Sequence, residues 1–354
     1  MGNSLDCGNP DACDGMNPER RRSGVVRCLR RISVVLALML LATVSAGVLY
    51  QSASSVWDRY RLPPPGKLVS IDGLRLHMLA SGKRCGKGSP TVVLETGLGG
   101  MSSAWGWIQP EVAKFARVVS YDRAGLGWSE ADSGPVSATG NVRRLHGMLH
   151  SAGIEGPYVL VGHSMGGLLV RLFNDLYPDE VSGVVLIDAS HPDQRQRSQA
   201  IRSHMNAGFR MLRTVPLLAR IGYVRISNFF QEQADGLPPL QCDEARSFLC
   251  SYEHLKVTNE EASNWNALCS QVRTTRSLGE KPLTVLSAGE GARPGALELQ
   301  ADLARLSSRG RHLVIKGADH VTLVTHREHA LRVVEEIRWL VEMTQPTCQH
   351  FPNT

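Results

Sequence analysis

The sequence predicts an α/β fold, a mostly parallel sheet covered by helices on both faces and opened by an antiparallel hairpin. Three observations carry this. From Thr91 onward, short β-branched runs alternate with helical stretches, the order that builds parallel strands joined by crossover helices. Ahead of them, two short strand-like runs meet at Asp72-Gly73, a strong hairpin signal. Finally, the apolar run Tyr158–Val161 ends in Gly162-His163-Ser164-Met165-Gly166 and opens at once into the helical pattern Leu168–Phe173. That is a strand, a tight turn and a helix in succession.

Taken in order, the 354 residues suffice for one large domain or two small ones, and 42% hydrophobic with 20% charged is the composition of a globular protein. The formal net charge is +6, but its visible clustering is local: Arg20, Arg21, Arg22, Arg27, Arg30 and Arg31 crowd before an apolar run. No basic stripe interleaved with aromatics follows, which argues against a nucleic-acid partner. Residues 1–31 therefore read as a basic cytoplasmic segment, and 32–50 as a transmembrane anchor that carries no charge and is just long enough to cross a bilayer. The next basic residue is Arg59, so the charge bias keeps the amino terminus cytoplasmic and exports the rest. A cleaved signal segment is the alternative, because Val44-Ser45-Ala46 resembles a small-residue cleavage site; the long stretch before the run favours an anchor. A buried helix of a soluble core is a third reading, opposed by the arginines and the uncharged run.

Residues 51–66 read as a linker, polar at first and then stiffened by Pro63-Pro64-Pro65. The core is expected over 67–189 and 278–344, with 190–277 as an insertion and 345–354 as a loose tail. Lys67–Ile71 and Leu74–Leu79 form the hairpin, and Thr91–Glu95 suits a central strand. Arg117–Tyr121, Tyr158–Val161, Gly183–Asp188, Pro282–Ser287 and Arg311–Ile315 supply further strands. Helices are expected near Ala138–Ala152, Leu168–Leu176, Ala296–Leu306 and Arg327–Glu342. No internal repeat or low-complexity tract occurs. Of eight cysteines, Cys7, Cys13 and Cys28 precede the apolar run and would stay reduced, whereas Cys85, Cys242, Cys250, Cys269 and Cys348 would meet an oxidising compartment after export. Five is odd, leaving one free or paired between chains. Cys242 with Cys250 is the most local pairing, and no spacing matches a zinc site.

The chemistry gathers at strand ends, where open parallel sheets bind ligands. Ser164 is the candidate nucleophile, because the strand-to-helix turn lifts its hydroxyl clear of the sheet and Gly162 and Gly166 let that turn close. After Thr91–Glu95 comes Thr96-Gly97-Leu98-Gly99-Gly100. The Leu98 and Met165 N–H groups are the candidate oxyanion donors, each such donor being worth about 2.7–4 kcal/mol in a measured case; a simple tight turn is the competing reading of these glycines. A serine hydroxyl needs a base. His320, in Gly317-Ala318-Asp319-His320 directly after a strand, is the candidate, with His326 as fallback. His146 and His150 share a helix face and read as solvated; His163 is expected to pack beneath the turn. For the carboxylate that orients the imidazole, both Asp188 and Glu290 stand at strand ends in the order serine, acid, histidine. Asp188 is taken first, on a well-defined buried strand, and Glu290 is the alternative acid. Asp319 is set aside because neighbouring side chains diverge.

These residues give the chain a resemblance to the α/β-hydrolase superfamily, in its bacterial serine-hydrolase, esterase and lipase-like branch. The similar features are Thr96–Gly100, Tyr121-Asp122-Arg123-Ala124-Gly125-Leu126-Gly127-Trp128-Ser129, Gly162–Gly167 and Gly317–His320, over roughly Lys67–Glu342. The resemblance implies an eight-stranded sheet, a Ser-acid-His triad and a helical cap after the sixth strand. The departure comes after Val285-Leu286-Ser287, where many relatives place a Gly-x-Asp-Asp acid and this chain has Gly289-Glu290-Gly291; a strand-end acid like Asp188 resembles the arrangement in certain dehalogenases. Relatives with aspartate at the elbow are haloalkane dehalogenases and epoxide hydrolases, and those with cysteine are dienelactone hydrolases, so Ser164 implies acyl transfer to water or another acceptor. The insertion would be the cap, with Met211-Leu212, Val215-Pro216-Leu217-Leu218, Ile221 and Phe229-Phe230 either lining an acyl pocket or packing the cap's own helices.

The expectation is a membrane-anchored, exported serine hydrolase of small-molecule carboxylic esters, with thioesters or lipid-like substrates as variants. It needs no metal or organic cofactor. An acyltransferase or peptidase on the same triad, and a catalytically silent binding protein, are the alternatives. The substrate's acyl and alcohol parts and the oligomeric state are not readable from the sequence.

Overall fold

A computed structural model of the chain describes residues 18–132 and 134–345. The stretch before Pro18, with Cys7 and Cys13, and the expected tail beyond Gln345, with Cys348, lie outside the described residues. Among the described residues one eight-stranded sheet forms, in the spatial order β1-β2-β4-β3-β5-β6-β7-β8. The strands are β1 Lys67–Ile71, β2 Leu74–Ser81, β3 Thr91–Glu95, β4 Arg117–Tyr121, β5 Tyr158–His163, β6 Val181–Ile187, β7 Leu283–Ala288 and β8 Gly310–Ile315. The β1–β2 hairpin is antiparallel and joins β4 antiparallel; every pairing from β4 through β3 to β8 is parallel. This is the α/β-hydrolase fold that the sequence predicts.

Side-chain alternation explains why helices cover both faces. Along β5, Tyr158 and Leu160 join one apolar cluster while Val159 and Val161 join the other, as a period of two requires. The first face is covered by the helices Ala138–Ser151 and Gly166–Leu176 through Val142, Leu145, Met148, Leu168 and Phe173. The second is covered by Ile108–Val112 and the closing helix Arg327–Thr344 through Ile108, Val112, Val333, Ile337 and Leu340. Strands fully buried on both faces read as continuous apolar runs, which is why they were visible in the sequence. Between β6 and β7 lies the insertion, built from helices that include Gln199–Leu212, Val215–Arg220, Tyr223–Ile226, Pro239–Leu249, Tyr252–Ser263 and Trp265–Arg273.

Two expectations need correction. The stretch read as a linker from residue 51 is helical as far as Arg61, because a single helix runs Pro18–Arg61. Its polar end is held by the insertion: Gln51 Nε2 donates to the Cys250 carbonyl at 2.9 Å, and Arg225 pairs with Asp58 at 2.7 Å. Tertiary contact thus overrides local propensity, and only Leu62–Gly66 with its three prolines is left to connect to β1. Second, Cys242 and Cys250 are both free thiols, as are Cys28, Cys85 and Cys269. Eight residues along a helix separate two side chains by about 12 Å, beyond the reach of a disulfide. The helix Val25–Arg61 contains a segment long and apolar enough to cross a membrane, and none of that segment is buried against the rest of the protein.

Candidate active site

The turn after β5 carries Ser164 with φ of 55°, a left-handed conformation for a residue other than glycine. Such strain persists where the surroundings over-determine it, and here they do. A Cβ on Gly162 would come within 2.7 Å of the Gly166 backbone, and one on Gly166 within 2.4 Å of the Glu95 carbonyl oxygen. Ser164 N donates to the Ile187 carbonyl at 3.1 Å and its own carbonyl accepts from Ser190 N at 2.9 Å. The elbow is thereby stitched to the end of β6.

At that end sits Asp188, also at positive φ, 39°. The loop after β8 brings His320 across to both. His320 Nε2 lies 3.0 Å from Ser164 Oγ, and His320 Nδ1 lies 2.6 Å from Asp188 Oδ2. An ionised carboxylate only accepts, so Nδ1 carries the proton and Nε2 is left to accept from the serine hydroxyl. Burial opposes the charge of Asp188, yet its bond to His320, the charge there and the Ala288 N–H hold its carboxyl below the usual range. Asp319 instead accepts from the backbone N–H groups of Val321 and Thr322, each at 2.9 Å, and so shapes the loop that presents His320. Glu290 is exposed on the wall of the same cleft and, among the described residues, makes no hydrogen bond to His320. His326 faces Thr325 Oγ1 at 3.2 Å rather than the serine.

His163 is not simply packed beneath the turn. Its Nε2 donates to the His320 carbonyl at 2.9 Å, and the two rings lie 4.7 Å apart. Burial, with the neighbouring His320 adding to it, pushes the His163 imidazole down to about 3, so it stays neutral and able to brace the loop that presents His320.

The loop Thr96–Gly100 lies against the serine, since a Cβ on Gly97 would approach Ser164 Cβ to 3.0 Å. Among the described residues neither the Leu98 nor the Met165 N–H has an acceptor. A feature that the sequence did not reveal holds this loop. Arg123, just past β4, is buried with Glu95 and Glu261; its Nη1 meets Glu95 Oε1 at 2.6 Å, and its Nε meets Glu261 Oε1 at 2.6 Å. Arg123 also donates to the carbonyls of Thr96 and Gly97, at 3.0 and 2.7 Å, while Glu261 Oε2 accepts from Gly99 N at 2.9 Å. Burial opposes the Arg123 charge, but the two carboxylates more than offset it and raise its pKa. Arg123 belongs to the Tyr121–Ser129 motif, yet nothing marks Glu261 in the sequence, an acid on a helix of the insertion.

Asp122 does comparable work one residue earlier. It accepts from Ser102 N at 2.6 Å and Trp128 N at 3.0 Å and bonds His77 Nδ1 at 2.8 Å, fixing the loops beside the site. Close packing on its carboxylate leaves no room for a Cβ at Gly127, which would lie 2.2 Å from Asp122 Oδ2.

Above Ser164, His320 and Asp188 opens a cleft of about 770 Å³, within the size range of small-molecule sites. Its far wall comes from the insertion through Met205, Phe209, Met211, Leu212, Phe230 and Trp265. Of the apolar residues expected there, Met211, Leu212 and Phe230 do line it. Val215 and Leu218 instead pack inside the insertion against Val224 and Leu255, whereas Leu217 and Phe229 face outward. In the turn just ahead of β6, Glu180 is bonded through its two oxygens by His146 and His150, at 2.8 and 3.3 Å. Those three side chains converge closely enough to hold a cation, but well away from the serine.

The alpha/beta hydrolase family model matches residues 92–336, and the chain belongs to this family. Among curated relatives, efuK of Hormonema carpetanum, whose name describes a transporter, is 25% identical over 313 residues, covering 78% of this chain and 42% of that protein. The uncharacterized protein YqjL of Bacillus subtilis is 30% identical over 127 residues, covering 36% of this chain and 49% of its own length. The chain thus spans less than half the length of these relatives. Among solved structures, an esterase from Thermogutta terrifontis superposes with a TM-score of 0.58 at 20% identity, over 79% of this chain and 98% of that one. At that identity the likeness concerns the fold.

Proposed function

We propose that the protein is a serine hydrolase of carboxylic esters working through an acyl-enzyme. Ser164 is the nucleophile, His320 the general base and then acid, and Asp188 the carboxylate that orients the imidazole. The observation that carries this reading is the unbroken chain Ser164 Oγ, His320 Nε2, His320 Nδ1, Asp188 Oδ2, drawn from the ends of three strands with spacings of 3.0 and 2.6 Å. As Ser164 Oγ bonds the carbonyl carbon, its proton passes to His320 Nε2, and Asp188 stabilises the imidazolium that results. The carbonyl oxygen becomes an oxyanion, for which the free N–H groups of Leu98 and Met165 are the proposed donors. Collapse expels the alcohol, which takes the proton from His320. Water then repeats the sequence on the acyl-enzyme, and the carboxylic acid leaves.

Supporting this assignment of the acid, Asp188 rather than Glu290 meets the ring. The cleft's apolar wall suits an acyl chain. We further read the helix Pro18–Arg61 as a membrane anchor with its arginine-rich side cytoplasmic and the hydrolase domain across the membrane, on the strength of the uncharged run and its charge bias. The test is labelling of the intact protein by a fluorophosphonate. Wild type should label and turn over model esters, and Ser164→Ala should do neither. An unlabelled wild type, or equal labelling of both, would make the protein a silent member of its family.

A further inference from the structure

The amino-terminal helix meets the cap at a defined height along its apolar run. Gly47 lies three residues before Tyr50, about 5 Å inside the carboxyl end of the run by helical rise, and a Cβ there would sit 2.3 Å from the Ile221 carbonyl oxygen. Gly222, at φ 78°, rests on the Tyr50 ring, to which an added Cβ would approach within 3.1 Å. One turn beyond Gly47, Gln51 fastens Cys250, and about two turns after that Asp58 fastens Arg225. With the run across a bilayer, the corner between Val215–Arg220 and Tyr223–Ile226 is therefore held at the bilayer boundary.

The surface of that corner matches such a place. Leu217 is 63% exposed and Ile226 68%, with Tyr223 and Phe229 exposed beside them. Between Asp193 and Glu232 the chain has seven arginines and no acidic residue. Arg202, Arg210 and Arg213 are exposed and, among the described residues, have no acidic partner. Apolar side chains rimmed by unpaired cations suit the headgroup and upper acyl region of a membrane containing anionic phospholipid. The helix Gln199–Leu212 has two sides in consequence. Met205, Phe209 and Leu212 line the cleft, while Arg210, about half a turn round from Leu212, is exposed.

We propose that this cap corner is seated on an anionic phospholipid bilayer and that the cleft draws its substrate, the acyl ester of a membrane-resident lipid, from the leaflet at the carboxyl end of the anchor. The seat rests on reading the helix as a membrane span, and the substrate class on the hydrolase reading of Ser164. The experiment uses the full chain in nanodiscs of phosphatidylcholine and phosphatidylglycerol, doped with a phosphatidylcholine that carries a diazirine on its acyl chain. After irradiation, mass spectrometry should find lipid adducts on peptides from 215–230 as well as from 32–50; adducts confined to 32–50 would overturn the seat. Gly47→Leu should lower the cap adducts and leave those in 32–50 unchanged, and unchanged cap adducts would refute the clamp. Arg210→Gln and Arg213→Gln should each lower cap adducts by up to about fivefold, and only when phosphatidylglycerol is present; an equal loss in pure phosphatidylcholine would refute the charge argument. Fluorophosphonate labelling of the same samples reports whether each variant is folded. It also separates the two claims: cap adducts on a wild type that does not label would sink hydrolysis alone, and labelling without cap adducts would sink the seat alone. Leu217→Glu with Ile226→Glu should slow release of fatty acid from a bilayer-resident ester while sparing a short soluble ester. Equal loss on both would refute the substrate class.

Discussion

Glu261→Gln tests whether the buried charge cluster holds the loop over the serine. Glu261 accepts three hydrogen bonds, from Arg123 Nε at 2.6 Å, Arg123 Nη2 at 3.0 Å and Gly99 N at 2.9 Å. Its side chain and that of Arg123 are each 2% exposed, so solvent cannot replace the lost charge. Removing one partner of a buried ion pair costs about 3–5 kcal/mol, because the other charge stays buried without full compensation. Here Glu95 remains 2.6 Å from Arg123 Nη1 and the glutamine retains one oxygen, which places the expected loss near the lower end. About 3 kcal/mol corresponds to a fall in Tm of about 6–12 °C for a domain of this size class. The catalytic consequence runs through Gly99, whose N–H anchors the loop containing Leu98. If the Leu98 donor is displaced, kcat should fall by about 10²–10³, with KM changing by less than about threefold since the donor acts on the transition state. Thermal melts by circular dichroism and steady-state hydrolysis of a model ester give both readouts. A variant that melts within about 2 °C of wild type and keeps its kcat would refute the proposal that this ion pair positions the oxyanion loop.

Two other predictions address the acid and the pH response. Asp188→Asn should lower kcat by about 10⁴ through loss of the productive tautomer, whereas Glu290→Gln should leave turnover close to wild type; collapse with only the second would transfer the acid's role to Glu290. His163, pushed down to about 3 by burial, is neutral when folded but takes a proton near pH 6.5 when unfolded. The unfolded state therefore binds more protons between those values, and stability should drop as pH falls from about 6.5 toward 3. Denaturant midpoints at pH 7 and pH 5 measure this, and His163→Gln should flatten part of the slope, with His191 and His254, also lowered by burial, supplying more of it. An identical slope in wild type and variant would show that His163 titrates normally.

What the sequence determined by itself is local or periodic. Buried strands announce themselves as runs such as Tyr158–Val161, because both faces of a covered parallel sheet must be apolar. The turn at Ser164 was visible because strand, glycines and helix are contiguous, although the carbonyls that crowd Gly166 and hold the Ser164 N–H come from Glu95 and Ile187, far off in sequence. The uncharged run Ile32–Tyr50 was visible for the same reason, since length and charge are counted along the chain.

The tertiary structure decided whatever depends on groups far apart in sequence. Asp188 and Glu290 are equivalent as strand-end carboxylates, and only the path of the loop after β8 brings His320 to the first of them. Glu261 gives no sign in sequence because a helix acid is usually solvated; burial against Arg123 makes it a clamp on the loop. The helix persists past Tyr50 because the cap grips Gln51 and Asp58, interactions spanning well over a hundred residues, which no local propensity can register. Likewise, which apolar side chains of the insertion face the cleft and which face outward follows from how its helices rotate against the sheet, a choice made by packing.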